Sequence, residues 1–231
     1  MERIINFRYG DLQLVESGKL FGNMSNNPMY FQPGIDTHVI NGQVMANRMN
    51  FAIRYGVHGT NMFNTDTSKE NTVFNITPDY LLEKEKGMVQ IPADILIVTS
   101  ETPDVIIGSY TEDLPIIMAY DKEYKILIAK AITNDSNIDD VPGLLVDILH
   151  DRFNSSTEEI VGLIGPSAIY PEHYIDQFEE RGVSIIKASE FDPLHSKYFF
   201  HGEGCNFSGG FIMSDKNITR AKTKSLDFKA R

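Results

Sequence analysis

The chain is poor in the residues that build covalent or metal frameworks. Among 231 residues there is a single cysteine, Cys205, and no tryptophan. One cysteine excludes an internal disulfide and any cysteine-rich zinc site. Basic residues are also in deficit: 21 Lys and Arg stand against 32 Asp and Glu, a formal charge of −11. Binding to nucleic acid or to an anionic membrane needs a positive surface, so both are disfavoured as partners. No apolar run approaches the roughly 20 residues that cross a bilayer. The N-terminus, MERIINFRYGDLQ, lacks the apolar core of a secretory signal. The cytoplasm is the simplest compartment. Six N-x-S/T triplets, beginning at Asn23, Asn75, Asn134, Asn154, Asn206 and Asn217, are read as chance matches.

What is present is ordinary globular composition, 42% apolar and 23% charged, with enough length to bury a core. The stretch 93–131 holds four short Ile- and Val-rich runs, at 94–99, 105–110, 114–120 and 125–131. Runs of that length, bounded by Pro, Gly, Asp or Lys/Glu, predict strands buried on at least one face. The last two are joined by Asp121-Lys122-Glu123, which suits a tight hairpin. Between the second and third stands Thr111-Glu112-Asp113, the only acidic pair in the block. It belongs either to a surface turn or to a site.

Around this block, residues 3–31 predict strands and turns broken by glycines. Residues 44–55 predict a helix with Met45, Met49, Ala52 and Ile53 on one apolar face and Gly56 as its stop. Thr77-Pro78-Asp79 reads as a helix start, and that helix runs to about residue 86. Asp139 or Asp140 caps a helix through Phe153, with Val141, Leu144, Leu145, Ile148 and Leu149 inward. A strand at 160–164, a turn at Gly165-Pro166-Ser167, a helix at 171–181 closed by Gly182 and a strand at 183–187 follow. Residues 198–211 carry five aromatics among their glycines, suggesting a strand, a loop and a returning strand. The expected fold is α+β: a single domain over 1–231, with one mixed β-sheet flanked by about four helices. Residues 216–231 form a basic tail, read as a solvated or frayed terminus.

In order along the chain, these pieces resemble the laccase-domain family, the YfiH-like proteins often labelled polyphenol oxidoreductases. Ala46-Asn47-Arg48 resembles the family's E-N-R-like helix segment, and Val57-His58-Gly59-Thr60 its V-H-G-T motif. Ala93-Asp94 matches an A-D strand opening, and Thr111-Glu112-Asp113-Leu114-Pro115 faces a T-A-D-C-x-P motif. Tyr120-Asp121 through Lys125 matches a hairpin turn, Ile164-Gly165-Pro166-Ser167 an I-G-P-S motif, and Phe199-Phe200 a terminal F-F. The resemblance spans about residues 40–212. It implies a zinc-dependent purine nucleoside phosphorylase or adenosine deaminase, with metal ligands from V-H-G, from T-A-D-C and from an H-A-G-W-R-G motif after the hairpin.

Only His58 of those ligands is retained. Leu114, or a gap, stands at the cysteine. Ala131-Ile132-Thr133-Asn134-Asp135-Ser136 replaces H-A-G-W-R-G, and His201-Gly202-Glu203 stands where arginines follow F-F. Glu112, Asp113, His173, His201 and Cys205 are chemically able to rebuild a site, and Asp113, beside the lost cysteine, is the best placed. His58, Asp113 and His201 would make a harder zinc site than the family's. His150 falls in a helix's last turn, where favouring the dipole is role enough.

Two functions follow. One is a degenerate metal site that binds a small molecule or a protein partner without the family chemistry. The other is an enzyme acting on a purine nucleoside through His58 and Asp113. A multi-copper laccase oxidation is the least favoured reading, because six scattered histidines do not supply its ligands.

Overall fold

The computed structural model describes residues 7–17, 24, 37–83, 91–111, 116–132, 140–165, 171–187 and 206–219. Their elements run β1 (Phe7–Tyr9), β2 (Leu12–Glu16), α1 (Thr37–Arg54), β3 (Met62–Asn64), β4 (Val73–Asn75), α2 (Pro78–Glu83), β5 (Ile95–Thr99) and β6 (Ile106–Thr111). Next come β7 (Ile116–Asp121), β8 (Ile126–Ala131), α3 (Val141–Phe153), β9 (Ile160–Ile164), α4 (Pro171–Glu180), β10 (Ser184–Lys187) and β11 (Asn206–Ile212). Residues 215–219 are also helical. The four Ile/Val runs are β5 to β8, within two residues of the sequence expectation.

The class is α+β, but the strands divide between two mixed sheets rather than one. The first has the order β1-β2-β11-β6-β3, the second β10-β9-β7-β8-β5-β4. Consecutive runs therefore part company: β6 joins the first sheet while β5, β7 and β8 build the second. Hydrophobic runs reveal strands but not their partners, which is why the division was hidden. Among the described strands, β3–β6, β4–β5 and β9–β10 pair in parallel.

The layers follow from side-chain alternation. In β7, Ile116, Met118 and Tyr120 face the first sheet with Leu12, Leu14, Ile107 and Ile212, while Ile117 and Ala119 turn to α3 and α4. A strand covered on both faces needs no polar alternation, so β7 and β8 read as continuous apolar runs. The first sheet's other face carries α1 through Val44, Phe51 and Ala52, packed on Phe207, Phe211 and Ile106. The stack is thus α1, sheet, sheet, then α3 with α4.

The expected apolar face of α1 is displaced. Met45, Met49 and Ile53 are 44%, 37% and 55% exposed, and of the four only Ala52 is buried. The inward stripe is Val44, Arg48, Phe51 and Ala52, because Phe51 and the stem of Arg48 fill the space over the sheet. An arginine at a core position disguised that stripe in sequence.

The capping signals are realised. Asp140 accepts from the Gly143 N–H at 2.7 Å, and Thr77 Oγ1 from the Tyr80 N–H at 3.2 Å. Gly56 and Gly182 take φ of 80° and 73° after α1 and α4. Leu144 is only half-buried on α3. The expected continuation of α2 to about residue 86 and the 166–170 turn lie outside the described residues, as does most of the 198–211 segment.

One close approach requires glycine. Gly108 and Gly209 are register partners across β6 and β11. A Cβ on Gly108 would stand 2.2 Å from the Ser208 carbonyl oxygen, and one on Gly209 2.2 Å from that of Ile107. No side chain fits between these backbones.

Candidate functional site

Strand register places one set of strand ends together. Ile116 pairs with Ala131, Ile117 with Ile164, and Ile164 with Lys187 in the second sheet. In the first, Thr111 pairs with Asn206. From these ends the chain continues into 112–115, 132–140, 165–171 and 188–205. Asp113, Glu112, Leu114, His201 and Cys205 lie outside the described residues.

His58 is described, in the turn between α1 and β3. It is exposed, and its Nδ1 lies 2.9 Å from Thr60 Oγ1. Gly59 lets this turn close on α1, since a Cβ there would meet the Met49 side chain at 2.9 Å. The turn adjoins the start of β6: Met62 is level with Ile106, whose N–H donates to the Asn61 carbonyl at 2.9 Å. Thr111, from which the chain runs on to Asp113, is at the other end of that strand, about 16 Å away at about 3.3 Å per residue. His173 is exposed on α4, 3.1 Å from Gln177 Nε2. His150 is in the last turn of α3, with its Nε2 3.3 Å from Thr157 Oγ1. Among the described residues, no group of three His, Cys, Asp or Glu side chains could hold a metal ion. Of the three expected ligands, His58, Asp113 and His201, only His58 is among the described residues.

At the shared strand ends stands a charged pair. Lys130, on β8, forms an ion pair with Asp94, just before β5, and each side chain is 2% exposed. Asp94 also accepts from the Asn71 N–H at 3.1 Å. The pair had no signal in sequence beyond a lone Lys in an otherwise apolar strand, ILIAKA.

At the opposite end of β7, Asp11 in the β1–β2 turn joins the two sheets. It accepts from the Tyr120 hydroxyl and forms a 2.8 Å ion pair with Lys125. Burial raises the Asp11 pKa, but the Lys125 and Tyr120 bonds outweigh it and hold the carboxyl below its ordinary value. Burial, then the Asp11 bond, push the Tyr120 phenol well up. Beside it Asp121 is fully buried, with Oδ1 accepting from the Tyr124 N–H at 2.7 Å.

A third charged group lies under α1. Arg48 donates through Nε to the Met24 carbonyl at 2.7 Å, and its guanidinium lies 4.5 Å from the Tyr110 ring centroid. Tyr110 meets Phe207 edge-on at 5.4 Å, Phe207 meets Phe51 at 5.9 Å, and Phe51 meets Tyr55 at 5.2 Å. These rings floor the space beneath the helix.

No family model and no curated protein matches the sequence. Solved structures do match. YlmD from Geobacillus stearothermophilus superposes with a TM-score of 0.65 at 11% identity, covering 92% of this chain and 100% of that one. The hypothetical protein YfiH of Bacillus licheniformis gives 0.59 at 14% identity, over 88% and 93%. A Neisseria meningitidis protein of the family model DUF152 gives 0.60 at 11%, over 92% and 100%. At such identities the likeness establishes the fold: this chain folds as the YfiH-like proteins do. No helix among the described residues is long and apolar enough to cross a membrane.

Proposed function

We propose that this chain is a YfiH-like binding protein with a degenerate metal site, taking a small molecule or a protein partner without the family's zinc chemistry. The observation that carries it is Ala131. This residue stands where the resemblance puts the first histidine of H-A-G-W-R-G, and it is a buried strand end paired with Ile116. Its methyl cannot ligate a metal. The next residue, Ile132, packs into the core beneath α3. His58, the retained ligand type, adjoins the opposite end of β6 from Thr111. The core shared by both sheets supports treating residues 1–231 as one domain.

The test is product analysis of adenosine and inosine incubated with the protein, phosphate and added zinc, together with the metal content of the purified chain. Absence of turnover in a preparation without zinc is expected. Turnover by the wild type overturns the proposal. If His58→Ala then abolishes it, the alternative holds, a site rebuilt with His58, Asp113 and His201.

A further inference from the structure

Arg48 is 6% exposed, on the inward stripe of α1. A guanidinium has five N–H donors and no acceptor, and it stays charged inside a protein. Two of its surfaces are used, Nε by the Met24 carbonyl and one face by the Tyr110 ring. The remaining edge, Nη1 and Nη2, has no hydrogen-bond or ion-pair partner among the described residues.

The described elements around it supply no counter-charge. None of the chain's 32 acidic residues falls in α1 (THVINGQVMANRMNFAIR), in β6 (IIGSYT) or in β11 (NFSGGFI), the helix that bears Arg48 and the strands that bear the rings beneath it. Burial lowers the Arg48 pKa, and Tyr110 offsets this only in part. Stacking on a ring and a single carbonyl bond return only part of what a guanidinium loses on leaving water. A charged fork, held from two sides and without a partner among the described residues on the third, is arranged as a receptor.

We propose that the amino edge of Arg48 receives an oxyanion, the carboxylate or phosphate group of a ligand, which completes the pair. Two parallel N–H donors match two oxygens of either group, which a lysine ammonium cannot do. The Met24 carbonyl and the Tyr110 ring fix the plane of the fork and so the approach of the anion. The inference goes beyond the proposed function by naming the group recognised, and it holds whether or not metal chemistry survives.

Calorimetric titration of the full chain with inorganic phosphate, and separately with acetate at matched ionic strength, tests it. Saturable binding of at least one anion is expected. Preference between the two identifies the ligand group. Arg48→Lys keeps the charge and loses the fork, and should weaken binding by about tenfold or more. Should that variant fail to fold, the Arg48 Nε–H resonance of the wild type serves instead, and it should move with the anion. Overturning results are no saturable binding of either anion, unchanged affinity in Arg48→Lys, or an Arg48 resonance indifferent to the bound anion. Nucleoside turnover and zinc content do not enter these readouts, so failure here is distinct from failure of the binding reading.

Discussion

Lys130 and Asp94 face each other in the interior, the ammonium of one closing on the carboxylate of the other with 2% of either side chain exposed. The pair ties the end of β8 to the chain entering β5. Removing one partner leaves an isolated buried charge, whereas removing both leaves an apolar gap. Lys130→Met should therefore destabilise by about 3–5 kcal/mol, while Lys130→Met with Asp94→Leu should recover most of that loss. Urea unfolding of the two singles and the double measures the coupling. Additive single losses would show that the pair is not coupled.

Asp11 makes stability acid-sensitive. Its folded pKa is lowered, so its contribution is complete above the unfolded carboxylate value of about 3.9 and is lost as pH falls through the folded value. The melting temperature should drop on that acid limb. Asp11→Asn should be less stable than wild type at neutral pH, and the gap should close as pH falls through the lowered folded value. A parallel pair of curves down to pH 2 would remove Asp11 as the cause.

At Asp140, one carboxylate serves two donors. It caps α3 through Gly143 and holds Arg181 of the turn after α4 at 2.9 Å. Both side chains of the ion pair are more than a third exposed, so the pair adds little and the cap dominates. Asp140→Ala should cost about 1 kcal/mol, rising to about 2 at most. Arg181→Ala should cost less than that in the same thermal melts.

Gly108 and Gly209 should not tolerate alanine. Each Cβ would press on the partner strand's backbone, which cannot rotate aside. Either substitution should cost about 3 kcal/mol or more, by analogy with severe overpacking. His58→Ala, at an exposed turn, should stay within about 0.5 kcal/mol of wild type. Midpoints of chemical denaturation separate the two cases.

Much of the fold was legible where chemistry is local. Asp140 as a cap, Pro78 in a first turn, and Gly56 and Gly182 past helix ends act through their own backbone, so a single sequence displays them. The runs β5 to β8 were visible because β-branched side chains mark strands. Pairing was not, since the choice of β8 over β6 as partner of β5 depends on surfaces far apart in the chain. The face of α1 was misjudged because Arg48 is polar by type and buried by position. Lys130 was passed over for the same reason. Of the expected site, motif alone points to His58, and Asp113 and His201 lie outside the described residues. The edge of Arg48 without a partner among the described residues is a property of what surrounds it, and no spacing announces that.

The strand order of the first sheet has a kinetic corollary. β11 lies between β2 and β6, and it begins at Asn206, long after β6 ends at Thr111. During synthesis β2 and β6 would both emerge long before the strand that joins them, each exposing an unpaired edge. Such distant pairings slow folding and expose the growing chain to aggregation. Emergence of β11 from the ribosome should accordingly be the event that lets this sheet close, and a chain stopped before Asn206 should be a client of chaperones rather than a smaller folded protein.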